Sequence, residues 1–448
     1  MAARLEAAVA ALRERPVSAC DKGFGCLAPV SAADLAARRP PLLGGAFTMP
    51  VLVLHETALR QNVEAMAAYC AAAGVSLAPH GKTPMAPQLM ARQLAAGAWG
   101  ITAATIGQVR TYRSFGVPRI LLANELTDRA GIAWLAGELA ADPGFDCYVY
   151  ADSLDGVRLL DSAFEAARPG GPGRRLPVLV ELGFPGGRTG CRTVRQAVAV
   201  AEAVAAAGSL ELAGAAGYEG GLGHDCEPAS LAAVAGFCRE LLGLGELIAA
   251  RADGARAGGA GSPGGAGELI LSAGGSAYFD VVTAELTAGG PSSGRRVVLR
   301  SGAYVAHDHG HYANLAPGGT GRAGPALVPA LELWAQVLSR SEPGLALLCA
   351  GRRDVSFDQG LPVPLQIRRQ DGEQVGHRAE AAGTVAGMRI TRLDDQHAYL
   401  SVPPDAALAP GDLVALGISH PCTTFDKWRV IPVVDDEYRV VDAVHTFF

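Results

Sequence analysis

The stretch Val75-Ser76-Leu77-Ala78-Pro79-His80-Gly81-Lys82-Thr83 opens with a short apolar run and breaks at Pro79 and Gly81, so it reads as a strand running into a loop that carries a lysine. Seven comparable runs follow: Trp99 to Ala104, Arg119 to Ala123, Asp146 to Ala151, Leu176 to Leu182, Leu210 to Gly217, Glu268 to Ala273 and Arg296 to Arg300. Around them lie alanine-rich stretches with helical period, such as Thr57 to Ala73, Ala86 to Ala96, Val194 to Ala207 and Ala229 to Ala250. Eight strand–helix units in about 250 residues fit a closed (β/α)8 TIM-type barrel, an α/β fold, better than an open doubly wound sheet. Between Arg251 and Gly267, seven of seventeen residues are glycine and no apolar period survives, which predicts a mobile surface insert.

Past residue 300 the pattern changes to short alternating strands separated by turn signals, as in PALELWAQVLSR, GLALLCAG, HAYLSV and GDLVALG. That spacing predicts a second, mostly antiparallel β domain. The expected organisation is an N-terminal segment 1–48 packed on the β domain, a barrel over 49–300 and a β domain over 301–448. The first residues, MAARLEAAVAALRERP, read as a short amphipathic helix and lack the basic head and apolar core of a signal peptide.

Composition narrows the function. The chain has 448 residues, 49% hydrophobic and 18% charged, with 38 basic against 44 acidic side chains and a net charge of −6. That balance argues against a nucleic-acid partner. No apolar run reaches the roughly 18 residues of a membrane span, so no membrane partner is expected. Nine cysteines without regular close spacing suit a reducing, cytoplasmic setting. Of the 38 basic residues only Lys22, Lys82 and Lys427 are lysine, the rest being arginine. A lysine retained in so arginine-rich a chain invites a chemical explanation.

Barrel active sites lie at the C-terminal ends of the strands, and Lys82 follows one directly. A lysine there can hold an aldehyde cofactor such as pyridoxal 5'-phosphate as a Schiff base. On the same rim stand Arg188, in GFPGGRTGC after the fifth strand, and Tyr218, in GYEGG after the sixth. After the seventh comes Ser272-Ala273-Gly274-Gly275-Ser276, whose small residues could expose N–H groups to a phosphate. His224 lies six residues beyond Tyr218, as a candidate proton donor or as an ordinary loop histidine. In the β domain, His420 and Cys422 are two apart in Ile418-Ser419-His420-Pro421-Cys422 and would face the same way on an extended segment. One nitrogen and one sulfur suit zinc, with coordination sites left open. His307, His309 and His311 alternate in HDHGHY and would share a face if that stretch were a strand, though a second metal there lacks a further ligand type. Asp358 and His397 fit turn and strand-end roles.

Taken in order, the PHGKT, GGRTG, GYEGG, SAGGS, LRSGAYV and HPC motifs give a chain that resembles the D-serine dehydratase and D-threonine aldolase family from about Met49 to Phe448. The resemblance implies the alanine racemase fold type, pyridoxal phosphate on Lys82, a divalent metal near the substrate β-hydroxyl and a homodimer whose partner covers the open side of the site. It also implies that Arg188 faces the pyridine nitrogen and that Tyr218 contacts the cofactor. A dehydratase of this kind takes D-serine or D-threonine to an oxo acid and ammonia, whereas an aldolase yields glycine and an aldehyde. The dehydratase branch carries H-x-C at the metal and the aldolase branch H-x-D, so His420-Pro421-Cys422 favours the D-serine ammonia-lyase-like reaction. A non-catalytic cofactor-binding protein and an amino acid racemase are the remaining alternatives.

Overall fold

The computed structural model describes residues 2–25, 28–168, 173–257, 268–288, 294–369 and 385–448. Eight parallel strands follow in chain order: β1 (Ser76–Leu77), β2 (Ile101–Ala103), β3 (Arg119–Glu125), β4 (Asp146–Ala151), β5 (Leu176–Leu182), β6 (Leu210–Gly217), β7 (Leu269–Ala273) and β8 (Arg295–Leu299). The loop carrying Lys82 closes the ring. Trp99 N–H donates to Leu77 O (2.7 Å), Thr102 N–H to Pro79 O (2.9 Å) and Gly81 N–H to Thr102 O (2.8 Å), which joins β2 back to β1. Strands of a barrel are covered on both faces and need apolar residues throughout. All seven residues of β5 are buried accordingly. Ala78, Leu121, Tyr150, Leu179, Ala216, Ile270 and Val298 meet inside the ring, so the barrel is a packed core, not a pore.

The outer helices begin where the sequence supplies caps. Thr105, Asp128, Ser153 and Thr193 each accept a hydrogen bond from a first-turn N–H. The glycine-rich segment is only partly accounted for. Its start belongs to the helix Pro228–Ala257, and residues 258–267 lie outside the described residues.

The second sheet is mostly antiparallel. Its central strand β9 (Leu331–Glu342) pairs with Leu413–Gly417 on one side and Val51–His55 on the other. This corrects the boundary at residue 49. Val51–His55 lies inside the expected barrel segment, yet it is a fully buried strand of the other sheet, and the chain enters the barrel layer only with the helix Glu56–Ala73. Ahead of it, Val17, Phe24, Leu35, Leu42 and Phe47 pack against Val51, Val53, Trp334 and Ala415, on a face of that same sheet. No described helix is long and apolar enough to cross a membrane.

One backbone detail sets the barrel's register. Between Val178 and Leu179 the pairing of β5 skips from Leu212 to Gly214, leaving an extra residue in β6. Gly214 has φ +147, and a Cβ there would sit 2.0 Å from Ile270 O. Gly214→Ala is expected to destabilise the fold by about 2 kcal/mol or more, read as a lower midpoint in urea unfolding with the slope unchanged.

Candidate active site

The three lysines separate cleanly. Lys22 Nζ donates to Arg353 O (2.6 Å) and pairs with Asp354 (2.9 Å), and Lys427 lies 3.5 Å from Asp426. Lys82 has no hydrogen bond or ion pair among the described residues. Burial lowers its pKa, the neighbouring Cys422 opposes that, and the guanidinium groups of Arg188 and Arg300 lower it further. The balance shifts Lys82 downward, toward the neutral amine that nucleophilic and base chemistry uses. Neighbouring His80 is held neutral by burial and by the charges of Lys82 and Arg300.

Arg188 and Tyr218 do come together beside Lys82, with the Arg188 guanidinium 4.3 Å from the centre of the Tyr218 ring. Arg300 was missed in the sequence. It follows β8 directly, is 6% exposed, and donates to Ser272 Oγ (2.8 Å) and Gly217 O (2.6 Å). Its place in LRSGAYV, just past a strand end, was the available signal, obscured by the abundance of arginine.

At three positions of the expected phosphate loop the polar groups have partners within the chain. Ser272 is fully buried, and its hydroxyl both donates to Val298 O (3.0 Å) and accepts from Arg300. The N–H groups of Gly274 and Gly275 are engaged by the Glu219 carboxylate at 3.1 and 2.6 Å. Ser276 stays at the surface of the loop. Its Oγ accepts Ala303 N–H (3.2 Å), and the N–H groups of Ser276 and Ala277 have no acceptor among the described residues.

His420 and Cys422 reach the barrel rim within the same chain. Cys422 begins the short helix Cys422–Phe425, and its Sγ lies 3.2 Å from Thr83 Oγ1, one residue past Lys82. Asp358, read from sequence as a turn residue, instead serves the histidine. His420 Nδ1 lies 2.7 Å from Asp358 Oδ2, and Thr423 Oγ1 donates to Asp358 Oδ1 (2.6 Å). Burial disfavours the imidazolium of His420, but its contacts with Cys422 and Asp358 prevail and raise its pKa to about 9. With Nδ1 oriented by the carboxylate, the other ring nitrogen is the one left for a metal. Among the described residues no set of three His, Cys, Asp or Glu side chains is placed to hold a metal, so the pair stands as two ligands.

The histidine stretch is not a strand. His307 has φ +46, and the Asp308 carboxylate gathers the N–H groups of Gly310, Tyr312 and Ala313 into a turn. The three rings therefore do not share a face. His311 N–H donates to Ser419 O (3.0 Å), which sets its ring 5.9 Å from that of His420. Burial and the neighbouring His420 lower the pKa of His311. His224 is exposed, with His311 within its electrostatic reach. Tyr312, which sequence reading passed over, stacks edge-on 6.1 Å from His420, while Tyr304 is buried and bonded to Gln93.

A barrel lysine thus faces a histidine–cysteine pair from an appended β domain, on a fold shared with solved alanine racemases. The sequence model described as "Putative serine dehydratase domain" matches residues 330–434, which include His420 and Cys422. D-threonine aldolase of an Arthrobacter species is 28% identical over 390 residues, 86% of this chain and 89% of the relative. The solved D-threonine aldolase of Filomicrobium marinum superposes with a TM-score of 0.71 at 24% identity, covering 91% of this chain and 95% of that one. A D-threo-3-hydroxyaspartate dehydratase with one cysteine replaced by alanine, described as the metal-free form, superposes at 0.68 with 20% identity, over 91% of this chain and 99% of that one. A companion variant replaces a histidine two positions earlier. Over most of its length the chain is similar to D-threonine aldolases and to a D-threo-3-hydroxyaspartate dehydratase, and it shares the fold of the alanine racemases.

The Asp358–His420 contact carries a measurable consequence. With His420 and Cys422 as the expected zinc ligands, Asp358→Asn should weaken zinc affinity about 10- to 100-fold while leaving thermal stability near that of the parent, as followed by competition with a chromogenic chelator.

Proposed function

We propose that this protein is a pyridoxal phosphate- and divalent-metal-dependent dehydratase of β-hydroxy D-amino acids, acting on substrates of the D-serine and D-threonine type and releasing an oxo acid and ammonia. The observation that carries the reading is the 3.2 Å contact of Cys422 Sγ with Thr83 Oγ1, which puts a sulfur ligand and its His420 partner against the Lys82 loop. The dehydratase variants among the structural neighbours support it, since they alter a histidine and a cysteine at the same spacing.

The residues fit the cofactor. Lys82 is unpaired and its pKa is lowered, and the N–H groups of Ser276 and Ala277 are free to meet a phosphate. Tyr218, backed by Arg188, offers a ring to the same space. A borderline metal suits His420 and Cys422, zinc above all. When bound, the cofactor supplies an electron sink and the metal a positive charge for a departing hydroxyl. Lys82, once free as an amine, takes the α-proton as general base. Arg188 and Arg300 keep positive charge beside it, which suppresses its reprotonation from solvent. Thr83 fixes the distance between that base and the metal pair.

Aldol cleavage is the second reading. A base at the β-hydroxyl is what it requires, and His311, kept neutral beside His420, is such a base. D-threonine aldolases among the relatives favour it as well. A second copy of the chain, covering the open side of the rim, completes the proposal, and light scattering that returned a fully active monomer would remove it.

Borohydride should fix the cofactor on Lys82, and Lys82→Ala should leave nothing to trap. Zinc-loaded protein should convert D-threonine to 2-oxobutyrate and leave L-threonine untouched. Chelation should abolish turnover while the trapped cofactor persists. Glycine and acetaldehyde as the sole products would make the enzyme an aldolase, and full turnover without metal would take His420 and Cys422 out of the mechanism.

A further inference from the structure

Glu219 follows Tyr218 at the end of β6 and is completely buried. It forms no ion pair among the described residues, and its partners are two backbone N–H groups, Gly274 at Oε2 (3.1 Å) and Gly275 at Oε1 (2.6 Å). A buried carboxylate is costly unless its hydrogen bonds are specific and strong. These two bonds fall on a turn whose first residue, Gly274, has φ +89, so they hold a left-handed conformation that glycine adopts without strain. Two further ties fix the same turn from the other side. Ser301 Oγ donates to Gly274 O and Gly275 O (both 3.1 Å), and Ser276 Oγ accepts Ala303 N–H (3.2 Å). Three loops, after β6, β7 and β8, are thereby locked together around Gly274 and Gly275. The next two N–H groups, those of Ser276 and Ala277, remain without an acceptor.

Resting on the reading of this rim as a pyridoxal phosphate site, we propose that Glu219 is a positioning residue for the cofactor's phosphate, bracing the Gly274–Gly275 turn so that the free N–H groups of Ser276 and Ala277 receive the anion. The carboxylate does not touch the phosphate. It occupies the two donors that the glycines would otherwise present and passes anion binding on to the residues that follow. Tyr218 shares in the arrangement, because a Cβ on Gly275 would meet Tyr218 Cε2 at 3.3 Å, so the ring and the turn pack as one unit.

The test compares two aldehydes that differ only in the phosphate. Apoprotein is titrated with pyridoxal 5'-phosphate and, separately, with pyridoxal, and the dissociation constants are read from quenching of intrinsic fluorescence. Glu219→Gln keeps the shape of the side chain but replaces one acceptor oxygen with a donor. It should weaken pyridoxal 5'-phosphate about tenfold or more and change pyridoxal by no more than about twofold. Glu219→Ala should collapse the preference further, with circular dichroism reporting the folded fraction. Equal losses for both aldehydes would reduce Glu219 to a general structural role, and an unchanged or tighter affinity for pyridoxal 5'-phosphate would make it a bystander or a repeller. Any of these outcomes overturns the proposal while Lys82 trapping still stands. Parent protein that binds neither aldehyde would remove the cofactor reading and this inference with it.

Discussion

The hydroxyl of Thr83 and the sulfur of Cys422, 3.2 Å apart, tie the loop after the first barrel strand to the second domain, and the geometry of the site follows from that contact. Lys82 cannot shift along the rim without moving Thr83, and Thr83 cannot move without pulling on the helix Cys422–Phe425. The same junction is reinforced from the chain after β8, where His309 and His311 donate their N–H groups to Ile418 O (2.8 Å) and Ser419 O (3.0 Å). Val51–His55 adds a covalent constraint. It is a strand of the β domain that runs straight into a helix of the barrel layer, so neither unit can rotate freely against the other. A base and a metal-type pair assembled from different domains need this rigidity, because errors of an ångström in such a site are costly in rate.

Charge is distributed around that junction with some economy. Lys82 faces two guanidinium groups, which would make a cationic pocket if nothing answered them. Cys422 answers directly. Farther along the rim, at the ends of β3 and β5, Glu125 and Glu181 approach each other, and burial together with this neighbour raises the pKa of Glu125 to about 8.

Sequence revealed the barrel because parallel strands covered on both faces are continuous apolar runs, and runs such as Leu176 to Leu182 stand out against alanine-rich helices. The same signal could not say which sheet a run joins, and so Val51–His55 went to the wrong unit; only its pairing with Leu331–Trp334 decides the matter. Lys82 was legible through scarcity. Arg300 was hidden by abundance, and Glu219 looked like one more polar residue in a glycine-rich turn. Asp358 lies 62 residues from His420 in sequence, and no local pattern links them. The alternation in HDHGHY suggested a shared face, but that inference holds only for extended backbone, and the Asp308 turn replaces it. Motif positions were readable where chemistry depends on neighbours in sequence, and unreadable where the fold supplies the partner.

The choice between the two reactions turns on what stands at the β-oxygen. Elimination needs help for a leaving hydroxide, whereas aldol cleavage needs a base for the same group. His311 stands with its ring 5.9 Å from that of His420, and burial with the neighbouring positive charge lowers its pKa. It is therefore a poor proton donor near neutral pH and a competent acceptor. On that ground alone the site leans toward cleavage. His420 and Cys422 tilt it the other way. A cation held by one nitrogen and one thiolate would supply positive charge for a departing oxygen, and His311 would then tune the charge beside it rather than carry the proton. On the proposed function, whether the β-oxygen loses a proton or leaves altogether would depend on the strength of the field set by those two side chains. The Asp358 carboxylate behind His420 tempers that field, and the Thr83 hydroxyl against Cys422 fixes its position.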